Sequence, residues 1–318
     1  MIDKGLLALL GGFCLFLALV AATSFGAEKV RFGNSTKTNA MENLPPLAAQ
    51  EKGFFKEQGL EVEWALFESG AANIRALAAE AIDAGITLAT EVVPAVSRGI
   101  PMAFVADLQI DYDFFVWVRP DSAIKEPKDL KGSTVGVSRL GSLGHIFARV
   151  AAKGLGMEKD IKFVATGGVT PSIAALKAGS VQGIILSNLT MAVPRFQGDA
   201  KALLNVRDYL PKPWMGLGIF ARNDFTEKNP EATKRLVKSL LKGANFVRRN
   251  REWAVEKMRE MSGYPEEVGR EIHKSLRYGK SGAINVRGLE SVNKFMVEWD
   301  LIEKSPPLEK LYNTRFIN

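Results

Sequence analysis

The sequence predicts an α/β fold made of two lobes, each built on a mostly parallel sheet. Short apolar runs alternate with stretches of helical spacing, which is typical of repeated strand–turn–helix units. This alternation occurs in two blocks, and the C-terminal part of the chain shows helical spacing alone. With 318 residues, of which 47% are hydrophobic, the chain is long enough to form the cores of two ordinary domains.

The first lobe is predicted to contain five strands separated by short helices. Its strand candidates are apolar or alternate between apolar and polar residues, and turn residues bound them. We predict strands over 30–33, 60–66, 84–88, 102–107 and 114–118, and helices over 44–51, 73–80 and 94–97.

The second lobe repeats this pattern, and the chain then returns to the first. We predict strands over 134–137, 161–164 and 181–186, helices over 145–152 and 171–178, and a returning strand over 217–221. The region after 229 is helical and needs an apolar partner, so we expect it to pack on the first lobe. The boundaries predicted are 28–117 plus 216–318 for the first lobe and 118–215 for the second, with strands 114–118 and 217–221 forming a two-stranded hinge.

Residues 1–27 are predicted to be a secretory signal peptide. Lys4 lies in a short N-terminal region, an apolar run covers 6–22, and small residues follow it. This order is typical of a cleaved leader, and a cut after Gly26 satisfies the small-residue rule best. An uncleaved anchor is the alternative, although the run is shorter than the roughly 20 residues that span a bilayer. We therefore expect a periplasmic or otherwise extracytoplasmic protein.

Composition excludes several kinds of chemistry. The only cysteine, Cys14, lies in the predicted leader, so the processed chain has no disulfide, thiol nucleophile or cysteine metal site. His145 and His273 are the only histidines, which are too few for an ordinary histidine metal site. The net charge of +7 is scattered, and its densest part lies on an amphipathic helix after Pro230. We interpret it as a solvated face rather than a nucleic-acid surface, and a mildly basic surface also attracts anions.

Polar turns follow most of the predicted strands. In an open α/β sheet, ligands bind beyond the carboxyl ends of the strands, where helix N-termini present free N–H groups. Each such residue is also an ordinary helix cap, but the turns recur at the same topological place in both lobes. The candidate ligand-binding residues are Thr36, Thr38, Asn39, Ser69, Gly70, Ala71, Thr90, Glu91, Arg139, Gly141, Ser142, Gly167, Gly168, Ser187 and Asn188.

The segment VGVSRLGSLGHIFAR, 135–149, carries a further candidate, His145. Its spacing matches neither a Walker loop nor G-x-G-x-x-G, and no G-x-S-x-G elbow accompanies it. His145 lies one turn into a predicted helix, so it either faces the ligand or pairs with the backbone. Trp214, at the return crossing, either forms a wall of the cleft or packs at the hinge.

Four segments together resemble the periplasmic solute-binding proteins of nitrate, sulfonate, taurine and bicarbonate ABC importers. The resemblance implies a type II periplasmic binding-protein fold that closes on a ligand and docks on a membrane permease. It also implies that the chain is not an enzyme and needs no cofactor or metal, and we expect a monomer that binds no nucleic acid. The segments are LPPLAAQEKGFFKEQGLEVEW (44–64), FESGAANIRALAAEAIDAG (67–85), DSAIKEPKDLKGSTVGV (121–137) and AALKAGSVQGIIL (174–186).

The resemblance also bears on individual positions. Ser69-Gly70-Ala71 stands where taurine-type members have a similar Ser-Gly-Ala, and Ser142 with His145 stands at a hydroxyl-rich turn followed by histidine. Two departures affect the ligand: Arg139 interrupts that hydroxyl run, and Glu91 stands where several anion binders are uncharged. A carboxylate there would repel an inorganic anion or bind an ammonium group. The predicted ligand is therefore a small organic anion or zwitterion.

Two other functions stay open from the sequence. The first is an enzyme on the same fold, because the first lobe also resembles a thiamine-pyrimidine synthase. That enzyme relies on a cysteine-rich iron motif, which the processed chain lacks. The second is a ligand-sensing module of a signalling system, although no output domain follows in this sequence.

Overall fold

The computed structural model describes residues 27–34, 40–67, 69–110 and 113–317. Within these ranges, ten strands form two five-stranded sheets, one in each lobe. The order is β2-β1-β3-β10-β4 in the first sheet and β7-β6-β8-β5-β9 in the second. The strands are β1 Glu28–Asn34, β2 Leu60–Leu66, β3 Ala84–Leu88, β4 Met102–Ile110, β5 Phe114–Val118, β6 Thr134–Val137, β7 Lys162–Ala165, β8 Gly183–Ser187, β9 Lys201–Asn205 and β10 Leu217–Arg222.

Helices cover both sheets and make up most of the C-terminal region. They are α1 Ala40–Glu51, α2 Phe54–Glu57, α3 Gly70–Ala78, α4 Ala89–Ser97, α5 Leu143–Gly154, α6 Val169–Lys177, α7 Ala192–Phe196, α8 Asn223–Lys228, α9 Pro230–Arg249, α10 Arg251–Ser262, α11 Glu266–Ser275 and α12 Val286–Glu298. No helix in the described ranges is long and apolar enough to cross a membrane. The predicted signal peptide lies outside those ranges, except for Ala27.

Each sheet contains one strand that runs against its neighbours. β10 is antiparallel to β3 and β4, and β5 is antiparallel to β8 and β9. The remaining neighbours are parallel, as in the pairs β1–β2 and β6–β7. These two antiparallel strands stand next to the passages of the chain between the lobes. The predicted α/β fold is confirmed, with one antiparallel strand in each otherwise parallel sheet.

The pairing of β5 corrects the predicted lobe boundary. The predicted boundary assigned 114–117 to the first lobe, whereas Phe114–Val118 lies between β8 and β9 of the second sheet. Trp117 is fully buried there, and its indole N–H donates to the carbonyl of Leu186 at 3.0 Å. An apolar run shows that a strand is buried but not which sheet contains it. The first passage therefore lies before Phe114.

The helical C-terminal region packs on the first lobe, as predicted, but it also contacts the second. α9 lies against α1, and α12 packs on α4. On another face of α12, Phe295 and Trp299 join the core of the second lobe, and Arg149 of α5 lies 5.3 Å from the centroid of the Trp299 ring. α11 also contacts α7 of the second lobe. The C-terminal region thus connects the lobes at two places besides the chain passages.

Candidate functional site

The candidate site is the interlobe seam, where the carboxyl ends of the first sheet face the second lobe. Residues 88–90 follow β3, and opposite them stand Phe114 at the start of β5 and Leu143 and Phe147 on α5. Residues 214–216 of the return passage complete the lining. The free volume between these groups is about 10 Å³. The two lobes are therefore nearly in contact at the seam.

Trp214 both lines the seam and packs at the hinge, so it combines its two predicted roles. Its ring contacts Phe147 of α5 at a centroid distance of 6.4 Å and Phe295 of α12 at 5.2 Å. It packs against the cores of both lobes. Because this ring packs between two cores, any separation of the lobes removes contacts on one of its sides.

Glu91 lies in the first turn of α4, directly against the N-terminus of α3. Its carboxylate accepts a hydrogen bond from the Thr87 hydroxyl and contacts Gly70, the first residue of α3. Ser69 caps the same helix by accepting from the amide of Ala72 at 3.2 Å. Burial raises the pKa of Glu91, and the Thr87 hydrogen bond opposes that shift. The first-lobe side of the site thus contains a carboxyl group beside a helix N-terminus.

The side chain of Thr90 lines the seam with an unused hydrogen-bonding group. Its Oγ1 is buried and has no hydrogen-bond partner among the residues that the structure describes. A buried polar group without a partner costs about 1–3 kcal/mol. A ligand that forms a hydrogen bond with the Thr90 hydroxyl would therefore remove this cost.

In the second lobe, Ser142 and His145 organise the first turn of α5. The Ser142 Oγ accepts from the amide of His145 at 3.3 Å, and the Gly141 amide donates to the His145 Nδ1 at 2.9 Å. The His145 ring packs against Phe163, with 5.4 Å between centroids. Burial, with a smaller contribution from the charge of Arg149, lowers the pKa of His145. His145 therefore pairs with the backbone through its Nδ1, and its contact with a ligand stays a prediction.

Arg139 is exposed in the turn before α5. Its guanidinium forms no ion pair or hydrogen bond with any residue in the described ranges, whereas its carbonyl accepts from the amide of Ser142 at 3.2 Å. The role of this side chain in ligand binding stays a prediction.

The other two predicted turns of the second lobe are occupied by local hydrogen bonds. Gly167 and Gly168 both have positive φ angles, of 93° and 143°, and Gly168 precedes α6. After β8, the Ser187 Oγ lies 2.7 Å from the Thr190 hydroxyl. Asn188 accepts from Arg195 at 3.2 Å. These turns are well ordered by their own contacts, so their backbone groups are held in fixed directions.

The structure places the predicted residues in four groups. The second-lobe turns described above contain Arg139, Gly141, Gly167, Gly168, Ser187 and Asn188. Thr90 and Trp214 line the seam. Ser69, Gly70, Ala71, Glu91, Ser142 and His145 lie at helix N-termini next to it, with Gly70, Ala71, Thr90 and Glu91 inside first helical turns rather than in loops. Thr36, Thr38 and Asn39 lie outside the described residues.

Sequence reasoning missed the apolar half of the site. Phe114, Leu143 and Phe147 line the seam, yet in the sequence they belong to an apolar strand and to the apolar face of a helix. A signal existed at Leu143 and Phe147, because residues four apart on a helix share one face. That signal shows a common face without showing that the face meets the other lobe.

The arrangement suits noncovalent capture. It combines three aromatic rings, a buried hydroxyl, a carboxyl group and two helix N-termini, which can hold the polar ends and the apolar middle of a small molecule. No cluster of three metal-ligating side chains exists among the described residues.

Comparison with known proteins gives three findings. A family model described as NMT1/THI5 like matches residues 41–254. The taurine-binding periplasmic protein of Escherichia coli (strain K12) is 27% identical over 257 residues, covering 78% of this chain and 79% of that protein. The 4-amino-5-hydroxymethyl-2-methylpyrimidine phosphate synthase THI5 of Saccharomyces cerevisiae is 25% identical over 222 residues, covering 64% of this chain and 63% of that enzyme.

Solved structures share the same architecture. The periplasmic aliphatic sulphonate binding protein SsuA from Escherichia coli matches with a TM-score of 0.77 and 19% sequence identity, over 90% of this chain and 92% of that chain. At this level of identity the likeness concerns the fold alone. It agrees with the predicted two-lobed binding-protein architecture.

Proposed function

Because this chain belongs to the NMT1/THI5-like family, we propose that it is an extracytoplasmic binding protein that captures a small organic anion or zwitterion and delivers it to an ABC permease. The observation that carries the proposal is the interlobe seam. The first lobe contributes the Thr90 hydroxyl to it, the second lobe contributes the Phe114 and Phe147 rings, and Trp214 joins the two cores beside it. The 27% identity to a taurine-binding protein supports the same function.

Capture at the seam requires the lobes to separate. Pockets for small molecules have volumes of about 300–1,000 Å³, whereas the seam has about 10 Å³ free. Opening admits the ligand, and closure exchanges its hydration for hydrogen bonds from the protein. A ligand that binds the closed arrangement more tightly shifts the population toward it. The permease then distinguishes loaded protein from empty protein by this closure.

The residues at the two helix N-termini define a ligand class. Ser142 and the amides at the start of α5 suit a sulfonate or carboxylate. Glu91 suits a positively charged or hydrogen-bond-donating group at the opposite end. Taurine carries a sulfonate and an ammonium group, so it meets both requirements and is the first compound to test.

The test is a ligand screen by thermal unfolding and calorimetry with taurine, an aliphatic sulfonate, a carboxylate and nitrate. Taurine at about 100 times its Kd adds about 2.7 kcal/mol to the free energy of unfolding. Ser142→Ala is expected to weaken taurine binding while the ligand-free protein still unfolds cooperatively. If no compound shifts the unfolding of protein that native mass spectrometry shows to be ligand-free, the proposed function is wrong.

Export is part of the proposal, and it has its own test. The apolar run over 6–22 is followed by small residues, which supports a cleaved leader. N-terminal sequencing of the exported protein is expected to begin at Ala27 or Glu28. Recovery of the full chain from the membrane would instead show that the segment is kept as an anchor.

An enzymatic role is the second candidate, because the yeast pyrimidine synthase is 25% identical. The only cysteine of this chain is in the predicted leader, so the exported protein has no thiol for that chemistry. Incubation of the protein with the compounds that bind it, followed by mass spectrometry, separates the two roles. A binding protein returns each compound unchanged.

A further inference from the structure

A second feature of the molecule lies on the outer face of the first lobe and shares no residue with the seam. A groove of about 690 Å³ runs along α9 to the loop after α11 and the C-terminal residues. Among the residues that the structure describes, no carboxylate side chain lines this basic groove and six cationic side chains do: Lys234, Lys238, Lys242, Arg248, Arg249 and Lys280.

The cations of the basic groove are not explained by folding. Lys234, Lys238 and Lys242 follow one another at intervals of one helical turn, where like charges destabilise a helix. Lys242 is compensated by Glu57 and by the Phe54 ring, 4.2 Å from its Nζ. Lys234 and Lys238 are exposed and have no acidic partner among the described residues. A local arrangement that lowers stability without compensation is typical of a functional surface.

Arg248 adds a donor that lacks an acceptor. Its Nη2 donates to the Asn245 Oδ1 at 3.1 Å, but its Nε is buried and has no partner within the described part of the chain. Guanidinium groups bind phosphate and carboxylate oxygens through two parallel N–H donors. An oxyanion in the groove would therefore remove the cost of this unpaired group.

Apolar side chains line the same groove between the cations. They are Val237, Leu241, Phe316 and Ile317. An inorganic ion gains no binding free energy from the apolar side chains. An amphiphile with an anionic head gains binding free energy from both the apolar side chains and the cations. Basic residues beside an apolar strip are typical of surfaces that bind at the lipid–water interface.

The position of the groove agrees with a membrane-facing role. Glu28, at the start of β1, forms an ion pair with Arg235, which lies between Lys234 and Lys238 on α9. Only five residues separate this point from the apolar run over 6–22. Until the predicted leader is cleaved, the end of the chain that is directed to the membrane therefore enters the fold beside the basic groove.

We propose that the basic groove binds the phosphate head group of an anionic phospholipid and holds the α9 face of the protein at the membrane surface. The cationic side chains of the groove, including the Arg248 guanidinium, bind the phosphate. The apolar side chains contact the first methylene groups of the lipid. Each basic residue near an anionic membrane contributes about 1 kcal/mol, an effect that salt screens.

The experiment is flotation of the exported protein with vesicles of phosphatidylcholine, with and without phosphatidylglycerol. We expect binding only to the vesicles with phosphatidylglycerol, and release at high salt. The triple variant Lys234→Gln, Lys238→Gln, Lys280→Gln is expected to lose on the order of a hundredfold in affinity. All three side chains are exposed, so folding is preserved.

A matched control separates the groove from net charge. Lys159, Lys201 and Lys304 are exposed, and none has an ion pair in the described ranges. Replacing all three by Gln changes the net charge equally and is expected to leave vesicle binding within about twofold. Equal losses in both triple variants, or equal binding to both kinds of vesicle, would overturn the proposal. So would tight binding of soluble glycerol phosphate by protein that does not float with either kind of vesicle.

Discussion

The Thr90 Oγ1 is buried at the seam and has no hydrogen-bond partner among the described residues. Thr90→Val keeps the shape and removes the unpaired oxygen. We expect the ligand-free variant to unfold at the same temperature as the wild type or higher. Its affinity for taurine should fall about fivefold, since one hydrogen bond contributes about 1 kcal/mol.

Calorimetry and thermal unfolding measure these two effects separately. Thr190→Val is the control, because the Thr190 hydroxyl is already paired with Ser187. That variant is expected to lose stability by about 1 kcal/mol. Unchanged taurine affinity in Thr90→Val would show that the Thr90 hydroxyl does not face the ligand.

Glu91 makes stability depend on pH in a definite direction. Burial raises its pKa above the ordinary value of 4.5, so the folded protein binds this proton more tightly than the unfolded chain does. The contribution of Glu91 to stability is therefore complete below pH 4.5 and is lost as the pH rises through the raised pKa. Glu91→Gln keeps an acceptor for the Thr87 hydroxyl and removes the titration.

Urea unfolding of both proteins from pH 4.5 to 8 tests this prediction. We expect the difference in free energy of unfolding, Glu91→Gln minus wild type, to increase as the pH rises and then to reach a plateau. A difference that does not depend on pH would show that the carboxyl group is not desolvated in the folded protein. Taurine binding should weaken in the same variant if Glu91 holds the ammonium group.

At the scale of elements, most of the candidate site residues lie in the first turns of helices, and the glycines in these turns differ in the space around them. A β-carbon on Gly70 would collide with the Glu91 carboxylate and the Thr87 hydroxyl, whereas one on Gly144 would meet its nearest neighbour, Ile185, at 3.7 Å. Gly70→Ala is therefore expected to destabilise the protein by about 1–3 kcal/mol through overpacking.

Gly144→Ala is the matched substitution, in the first turn of α5. It is expected to stabilise the protein by up to about 1 kcal/mol, because alanine is the better helix former and loses less backbone entropy. Denaturant unfolding of the two variants gives the comparison. Equal effects would mean that the contact of Gly70 with Glu91 is not maintained in solution.

The same first turns limit what the sequence could predict. The strands 60–66, 84–88, 114–118 and 134–137 have the predicted bounds, because buried strands are marked by apolar runs between turn residues. α3 begins at Gly70 rather than 73, and α4 at Ala89 rather than 94. Small and polar first turns carry no apolar periodicity, so site residues appeared to lie in loops.

β9 was missed for a related reason. Lys201–Asn205 lies at the edge of the second sheet and is only partly buried, so its residues show no strong pattern. Likewise, the sequence indicated which turns stand at strand ends, but the aromatic residues of the seam depend on how two lobes meet. That contact joins Phe114 and Phe147 to Leu88 across two cores, which no local pattern contains.

At the scale of the whole molecule, the balance between open and closed arrangements depends on contacts outside the seam. Trp299, directly after α12, packs on the second lobe with Arg149 and Lys153 over its ring, and its centroid lies 5.9 Å from that of Phe295. α12 itself belongs to the first lobe through its contacts with α4. Cation–π contacts contribute about 0.5–1 kcal/mol even at exposed sites, and Trp299 and Arg149 are half-buried. Trp299 therefore favours the arrangement in which the lobes are close.

Trp299→Ala is expected to shift the ligand-free protein toward the open arrangement by about fivefold, which corresponds to about 1 kcal/mol. Small-angle scattering should then give a larger radius of gyration than for the wild type, and saturating taurine should reduce the difference. Trp253→Ala is the control, because Trp253 packs on Phe246 and Lys52 within the first lobe. It should lower stability without changing the radius. If both variants scatter as the wild type does, α12 does not restrain the lobes, and closure depends on the ligand and the seam alone.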